Sequence, residues 1–104
     1  MKRFEVSFRP LAEADLFALY RYIAAEAGHA VAGAYIGRIE AACLALETFP
    51  ERGTRRDDIR PGLRTMGFER RATIVFQVLK TEVVIVRIFH GGQDYEHALR
   101  RKDE

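Results

Sequence analysis

Groups capable of acid–base chemistry follow directly on an apolar run near the end of the sequence. Residues 83–89 are apolar except for Arg87, and they lead into His90 and a double glycine. Beyond the glycines stand two acids, a tyrosine and a second histidine: Asp94, Glu96, Tyr95 and His97. A buried strand that ends in such groups predicts either a catalytic cleft or a docking surface at that end of a sheet.

Arginine is concentrated in residues 51–71, ahead of that run. The segment sets seven arginines against four acids: Arg52, Arg55, Arg56, Arg60, Arg64, Arg70 and Arg71 against Glu51, Asp57, Asp58 and Glu69. A guanidinium makes two-point hydrogen bonds to a carboxylate or a phosphate, so this local positive excess suits an acidic partner or a nucleic acid. The alternative is a solvated loop whose arginines pair with those same acids.

Length and composition indicate one globular domain, residues 1–104. The chain is 48% hydrophobic and 31% charged, with a net charge of +2, which is ordinary for a domain with a single core. No stretch is long enough to span a bilayer and none has the pattern of a signal peptide, so we expect a cytoplasmic protein. Cys43 is the single cysteine. With three histidines as the other soft ligands, we expect neither a metal site nor a cofactor.

A strand and a first helix are predicted at the start of the chain. Residues 3–8 alternate between apolar and polar side chains, the pattern of a half-buried strand. Pro10 then suits the first turn of a helix, and Gly28 is expected to end it. The apolar stripe of this helix recurs at steps of four and three: Ala12, Leu16, Leu19 and Ile23.

A second helix is predicted over residues 29–48, folding back on the first as an antiparallel hairpin. Its apolar stripe is Ala32, Ile36, Ile39, Cys43 and Leu46. A row of small residues, Gly33, Gly37 and Ala41, is expected to let a neighbouring element approach closely.

Three strands are predicted after a polar loop over residues 51–62. They cover residues 63–68, 70–79 and 83–90, and their short connections predict an antiparallel meander. One face of the middle strand is apolar and the other is mixed, which suits a shallow groove. The last strand is apolar on both faces, so we expect it inside the sheet. The fold class is therefore α+β: an N-terminal strand, an antiparallel helical hairpin and a three-stranded antiparallel meander, with one antiparallel sheet packed on the hairpin as two layers.

Several short pieces, in this order, resemble the RelE/ParE superfamily of type II toxins. They are Ala14-Asp15-Leu16 before Tyr22-Ile23, Ala34-Tyr35-Ile36 before Ile39, Leu46 with Phe49-Pro50 and Gly53, and the segments 58–64 and 86–91. Together they cover nearly the whole chain, and the set is most similar to the ParE branch.

The resemblance implies a toxin that a cognate antitoxin holds inactive by wrapping the helical hairpin and the sheet. For the ParE branch the implied target is DNA gyrase. The toxin and antitoxin are expected to form a higher-order complex, and the implied role of the system is plasmid stabilisation. The residues that we expect to contact antitoxin or target are Tyr20, Tyr35, Arg60, Arg64 and Arg87. Tyr22 is a further candidate, because three tyrosines on the hairpin exceed what a small core requires.

The RelE branch implies a different activity, cleavage of messenger RNA on the ribosome. Attack of a ribose 2′-OH on the adjacent phosphate needs a base, an acid and cations for the developing charge. The candidates here are Arg64, Arg71, Arg87, His90 and Tyr95, with His97 as a further acid or base. Each also has a structural interpretation; Arg87, for example, could pair with Asp94.

Lysines are sparse around these groups, so we favour a protein that inhibits by binding and has no catalytic residues. An inactive relative of the toxins remains an alternative. Direct nucleic-acid binding is not expected, because neither predicted helix is a basic recognition helix.

Overall fold

The helical hairpin forms much as its sequence predicts. The computed structural model describes residues 3–91 and 93–100. Helix α1 is Pro10–Ala27, with Pro10 in its first turn, and helix α2 is His29–Leu44. Gly28 lies between them at φ 97°, a backbone conformation that glycine adopts without strain. Helix α2 ends at Leu44 and not near residue 48 as the sequence predicts, because residues Ala45–Glu47 form a 3-10 turn.

The buried stripe of α1 is the predicted one, whereas that of α2 differs at one position. Its buried residues are Ala32, Tyr35, Ile39 and Cys43. Tyr35 takes the place expected for Ile36, which is half-buried, because the Tyr35 ring packs edge-on against Phe68 with centroids 5.6 Å apart. Burial raises the pKa of the Cys43 thiol to about 12.

The row of small residues on α2 has no close neighbour, contrary to expectation. Gly33, Gly37 and Ala41 are all exposed. A Cβ at Gly33 or Gly37 would meet no described atom within 4 Å. The row faces away from the sheet because the stripe that includes Ala32 and Ile39 is the buried one.

Among the described residues, five strands form one sheet in the order β1-β5-β4-β3-β2. They are Glu5–Phe8, Thr54–Arg55, Leu63–Phe68, Ala72–Val78 and Glu82–His90, numbered in chain order. Strands β3, β4 and β5 form the predicted antiparallel meander, and β5 lies inside the sheet. The short strand β2 was expected to be loop.

The expectation of a wholly antiparallel sheet is wrong at one edge, because β1 pairs parallel to β5. Parallel pairing needs a long crossover between the two strands, and the helical hairpin is part of that crossover. The sheet is therefore mixed, within the α+β fold class that the sequence predicts.

Each face of the sheet carries a core. The hairpin core lies between the two helices and residues such as Ile74, Phe76 and Ile85. The opposite core contains Leu63, Val75, Val84, Val86, Phe89 and Leu99. Leu99 belongs to helix α3, Tyr95–Arg100, which covers this face. The predicted shallow groove is therefore absent there, and Val75 is fully buried.

Candidate functional site

A bulge in β5 determines which face its last residues occupy. Val75 pairs with Arg87, while the next residue, Phe76, pairs with Ile85. One extra residue, Val86, is thereby inserted in β5. Since side chains alternate along a strand, such an insertion reverses the faces of the residues that follow. His90 consequently lies on the side of the hairpin.

His90 shares a cleft with residues of the hairpin and of the β3–β4 turn. We call it the hairpin cleft. Its volume is about 390 Å³, and its walls include Leu19, Tyr22, Tyr35, Arg70, Arg71 and His90. The rings of Tyr22 and His90 are in contact, with centroids 5.4 Å apart. The cleft thus combines three cationic or titratable groups with two tyrosines.

Tyr35 forms part of two adjoining clefts. A neighbouring cleft of about 350 Å³ also includes Tyr35 and Arg71, together with Arg38 and Glu69. Only 4% of Tyr35 is exposed, and its hydroxyl has no hydrogen-bond partner among the described residues. Burial, and secondarily the charge of Glu69, raise the pKa of the Tyr35 hydroxyl against the opposite effects of Arg71 and Arg38. The phenol is therefore a neutral donor without an acceptor in the described part of the chain.

A left-handed turn places two arginines beside this tyrosine. Glu69 and Arg70 have φ of 49° and 58°, a region that residues with a Cβ seldom adopt. Arg38 donates two hydrogen bonds to the Glu69 carboxylate, at 2.7 and 3.0 Å. These bonds lower the pKa of Glu69. Arg70 and Arg71 make no side-chain hydrogen bond or ion pair with the described residues.

Arg87 is held by an acid that was not predicted as its partner. Its guanidinium donates to the Asp15 carboxylate at 2.8 and 3.1 Å, so the interpretation of Arg87 as the partner of an acid is confirmed, with Asp15 in place of the suggested Asp94. Asp15 also accepts the Ile88 N–H at 2.8 Å. Strand β1 pairs with β5 only as far as Ile85, so Asp15 supplies the acceptor that β1 no longer provides. Asp15 stood in a resembling sequence piece, but nothing in its local sequence indicated this role.

Arg55 and Arg56 pair with acids, as one of the two interpretations predicts for the whole arginine-rich segment. Arg55 bonds Asp57, and Arg56 bonds both Asp58 and Glu96. The hydrogen bond from Arg56, and then its charge, lower the pKa of Asp58 to about 2. Because Glu96 lies in α3, these bonds tie the loop to the helix that covers the opposite core.

The ribonuclease candidates do not come together. Arg71 and His90 share the hairpin cleft, whereas Arg64 lies in a separate cleft of about 370 Å³ beside Arg55 and Asp57. Arg87 is at the edge of β5 with Asp15. Tyr95 lies against the opposite core, where it accepts a hydrogen bond from Arg56 at 3.2 Å.

The remaining binding candidates also have partners within the chain. The Tyr20 hydroxyl and the His29 ring nitrogen are 3.0 Å apart. Arg60 donates to the carbonyl of Leu99, and Arg64 donates to that of Arg52. Their predicted contacts with antitoxin or target stay predictions. His97 is exposed in α3, where its N–H donates to Asp94.

Two further findings limit the kinds of site present. Within residues 3–91 and 93–100, no three His, Cys, Asp or Glu side chains are close enough to hold a metal ion together. None of the helices formed by these residues is long and apolar enough to cross a bilayer.

A family model and a protein relative both match this chain, and both are ParE toxins. A family model for the ParE toxin of the type II toxin–antitoxin system parDE matches residues 6–95. Toxin ParE3 of Caulobacter vibrioides is 34% identical over 88 residues, which span 85% of this chain and 87% of that protein.

Two solved structures share the fold. A chain of the chromosomal ParDE system from P. aeruginosa has a TM-score of 0.73 and 27% identity, covering 85% of this chain and 96% of that chain. The toxin–antitoxin complex RelBE2 from Mycobacterium tuberculosis contains a chain with a TM-score of 0.60 and 20% identity, covering 89% of this chain and 97% of that chain. The second likeness concerns the fold alone.

Proposed function

Because the chain belongs to the ParE toxin family of type II toxin–antitoxin systems, we propose that it inhibits DNA gyrase by binding and is neutralised by a cognate antitoxin. The observation that carries inhibition by binding is that the ribonuclease candidates do not line one cleft: Arg71 and His90 share the hairpin cleft, whereas Arg64 lines another. Arg87 and Tyr95 line neither of these two clefts and are bonded to Asp15 and Arg56. A general base must lie within hydrogen-bond reach of the proton it removes, close to the groups that stabilise the transition state. Gyrase acts in the cytoplasm, so the proposal includes a cytoplasmic location.

The internal partners of these candidates support the same proposal. The guanidinium of Arg87 is bonded to Asp15 at two points, and the Tyr95 hydroxyl accepts from Arg56. Groups held in this way keep the fold together. They would have to leave their partners before they could act on a phosphate.

The hairpin offers the surface for the antitoxin. Phe17, Tyr22 and Val31 are 61%, 56% and 52% exposed, and the cationic hairpin cleft opens beside Tyr22. Exposed apolar groups next to cations suit a segment that is itself apolar and acidic. A chain of the chromosomal ParDE toxin–antitoxin system from P. aeruginosa shares this fold at 27% identity, and we propose a toxin–antitoxin assembly, of higher order, for this chain.

Binding to the antitoxin is tested by co-expression. The antitoxin candidate is a small protein encoded beside this gene, with a DNA-binding head and an amphipathic acidic tail. We expect one complex on size exclusion at high protein concentration and a lower molecular mass for the toxin alone. Separate elution of the two proteins would contradict the antitoxin proposal.

Binding to gyrase is tested with immobilised toxin. We expect retention of purified gyrase and its release when the antitoxin is added, because one partner masks the surface that the other needs. A toxin that retains gyrase equally with and without antitoxin would contradict neutralisation by masking.

Cleavage of ribosome-bound messenger is the second candidate function. The observation that favours it is that Arg71 and His90 share one cleft with Tyr22. Primer extension on messenger from a translating extract tests it. Cuts that disappear in His90→Gln and Arg71→Gln would establish this activity in place of gyrase inhibition, and intact messenger would exclude it.

A further inference from the structure

The hairpin cleft contains cations and a hydrogen-bond donor that the described part of the chain does not satisfy. Arg70 and Arg71 have no side-chain hydrogen bond or ion pair there. The buried Tyr35 hydroxyl has no acceptor, although a buried polar group without a partner destabilises a fold. These three groups, with His90, lie along one cleft.

The local acid does not neutralise these groups. Glu69 is the acid beside Tyr35, and both of its oxygens accept hydrogen bonds from Arg38. The excess positive charge therefore belongs to Arg70 and Arg71. A cleft with free guanidinium groups and a phenol donor matches a carboxylate, which accepts hydrogen bonds at both oxygens.

We propose that the hairpin cleft receives one carboxylate side chain of the antitoxin, which accepts hydrogen bonds from the Arg71 guanidinium and, after a shift of the side chains that bury it, from the Tyr35 hydroxyl. The inference rests on the proposed antitoxin and specifies the chemistry of one contact. The exposed Tyr22 ring beside the cleft would pack against an apolar neighbour of that acidic residue. A carboxylate is favoured over a nucleic-acid phosphate because the exposed Val31 of the hairpin lines the neighbouring cleft, which shares Tyr35 and Arg71 with this one. A peptide segment can cover such an apolar group.

The strained turn agrees with this use of the site. Glu69 and Arg70 both have positive φ, and residues with a Cβ in that region destabilise the chain unless something compensates. An Asn-Gly pair is the usual occupant of such a turn. In this turn Glu69 and Arg70 stand in place of Asn-Gly, and their charged side chains line the two clefts around Tyr35.

A double-mutant cycle tests the inference. The toxin variants are Arg71→Gln and Tyr35→Phe, and Arg9→Gln is the matched control, because Arg9 is exposed and lies outside the cleft. In the antitoxin, each acidic residue is changed in turn to its amide. Affinities are measured by calorimetry for every combination. We expect Arg71→Gln to weaken the complex about 10- to 100-fold and Tyr35→Phe by less, since a hydrogen bond to a charged group has roughly that effect.

One acidic position of the antitoxin should couple to both Arg71 and Tyr35, so that its amide variant removes most of the effect of either change. Tyr35→Phe should leave the thermal stability of the free toxin unchanged or raised. That readout separates a role in recognition from a role in folding.

Three results would overturn the inference. If both variants bind the antitoxin as tightly as Arg9→Gln does, the cleft receives no carboxylate, although the proposed function stands. If Arg71→Gln abolishes binding of a labelled single-stranded RNA or DNA and leaves antitoxin affinity unchanged, the cleft holds a phosphate. If the unaltered toxin binds no antitoxin, the proposed function fails and the inference fails with it.

Discussion

Arg87 and Asp15 form a two-point ion pair that joins β5 to α1, although 72 positions separate them in the sequence. The side chains are 20% and 17% exposed. Asp15 also accepts a hydrogen bond from the Ile88 N–H. A single carboxylate therefore pairs with the Arg87 guanidinium and with a backbone N–H of β5 that has no strand partner on that side. This relationship fixes where α1 lies against the end of the sheet.

Removing the carboxylate leaves a mostly buried guanidinium and an unpaired N–H. We therefore expect Asp15→Ala to lower the free energy of unfolding by about 3–5 kcal/mol, as for other broken buried pairs. Urea unfolding at pH 7 measures the change. Glu69→Gln, which breaks the more exposed pair with Arg38, is the control and should have a much smaller effect. Equal losses in the two variants would contradict a special role for Asp15.

Two glycines should respond oppositely to alanine. Gly37 lies exposed in α2 with free space around it, so Gly37→Ala should raise stability by about 0.5–1 kcal/mol. Gly53 has φ 75°, and a Cβ there would lie 2.2 Å from the carbonyl oxygen of Thr65. We expect Gly53→Ala to destabilise the protein by about 1–3 kcal/mol or more. Thermal unfolding of the two variants measures both signs, and destabilisation by Gly37→Ala would show that the small-residue row is packed after all.

The sequence predicts the hairpin and the meander because both depend on local periodicity. The stripe from Ala12 to Ile23 and the apolar run of β5 can be identified from neighbours in the chain. The direction of β1 cannot, because alternation along a strand is the same for parallel and antiparallel pairing. The position of α3 depends on the opposite core, in which Leu99 and Val75 belong to the same cluster although they are far apart in the sequence.

The site is predictable only in part, for a similar reason. Residue type identifies Arg71 and His90 as candidates. Arg71 and His90 share one cleft only because of the bulge at Val86, and no residue type in β5 predicts that bulge. The pairing of Arg87 with Asp15 is likewise a long-range contact, so the sequence suggests an acidic partner such as Asp94 without identifying which acid it is.

Acid should weaken the pairing of Arg56 with Asp58 inside the loop. The hydrogen bond from Arg56 holds the pKa of Asp58 near 2, below its usual value of 3.8. A carboxyl whose pKa is lower in the folded state stabilises the fold above the unfolded value, and that contribution is lost as pH falls through the folded value. We expect the difference in urea midpoint between the unaltered protein and Asp58→Asn to be constant above about pH 5 and to shrink towards pH 2. A difference independent of pH would contradict this account.

The arginine loop should contribute to antitoxin binding through charge. We expect Arg60→Ala and Arg64→Ala to weaken the complex more at low salt than at high salt, because salt screens exposed charges. Calorimetry at two ionic strengths measures this, with Arg9→Ala as a control, because Arg9 is exposed and follows β1 at the opposite edge of the sheet. Losses in Arg60→Ala and Arg64→Ala that do not change with salt would show that these side chains act by packing.

The measurement that tests the central claim most directly is DNA supercoiling by purified gyrase in the presence of purified toxin. The account predicts that supercoiling falls as toxin is added and recovers when the antitoxin is added in equal amount. It also predicts that Arg71→Gln, whose antitoxin contact is impaired, needs more antitoxin for the same recovery. Undiminished supercoiling at toxin concentrations that arrest growth, together with cut ribosome-bound messenger, would contradict it.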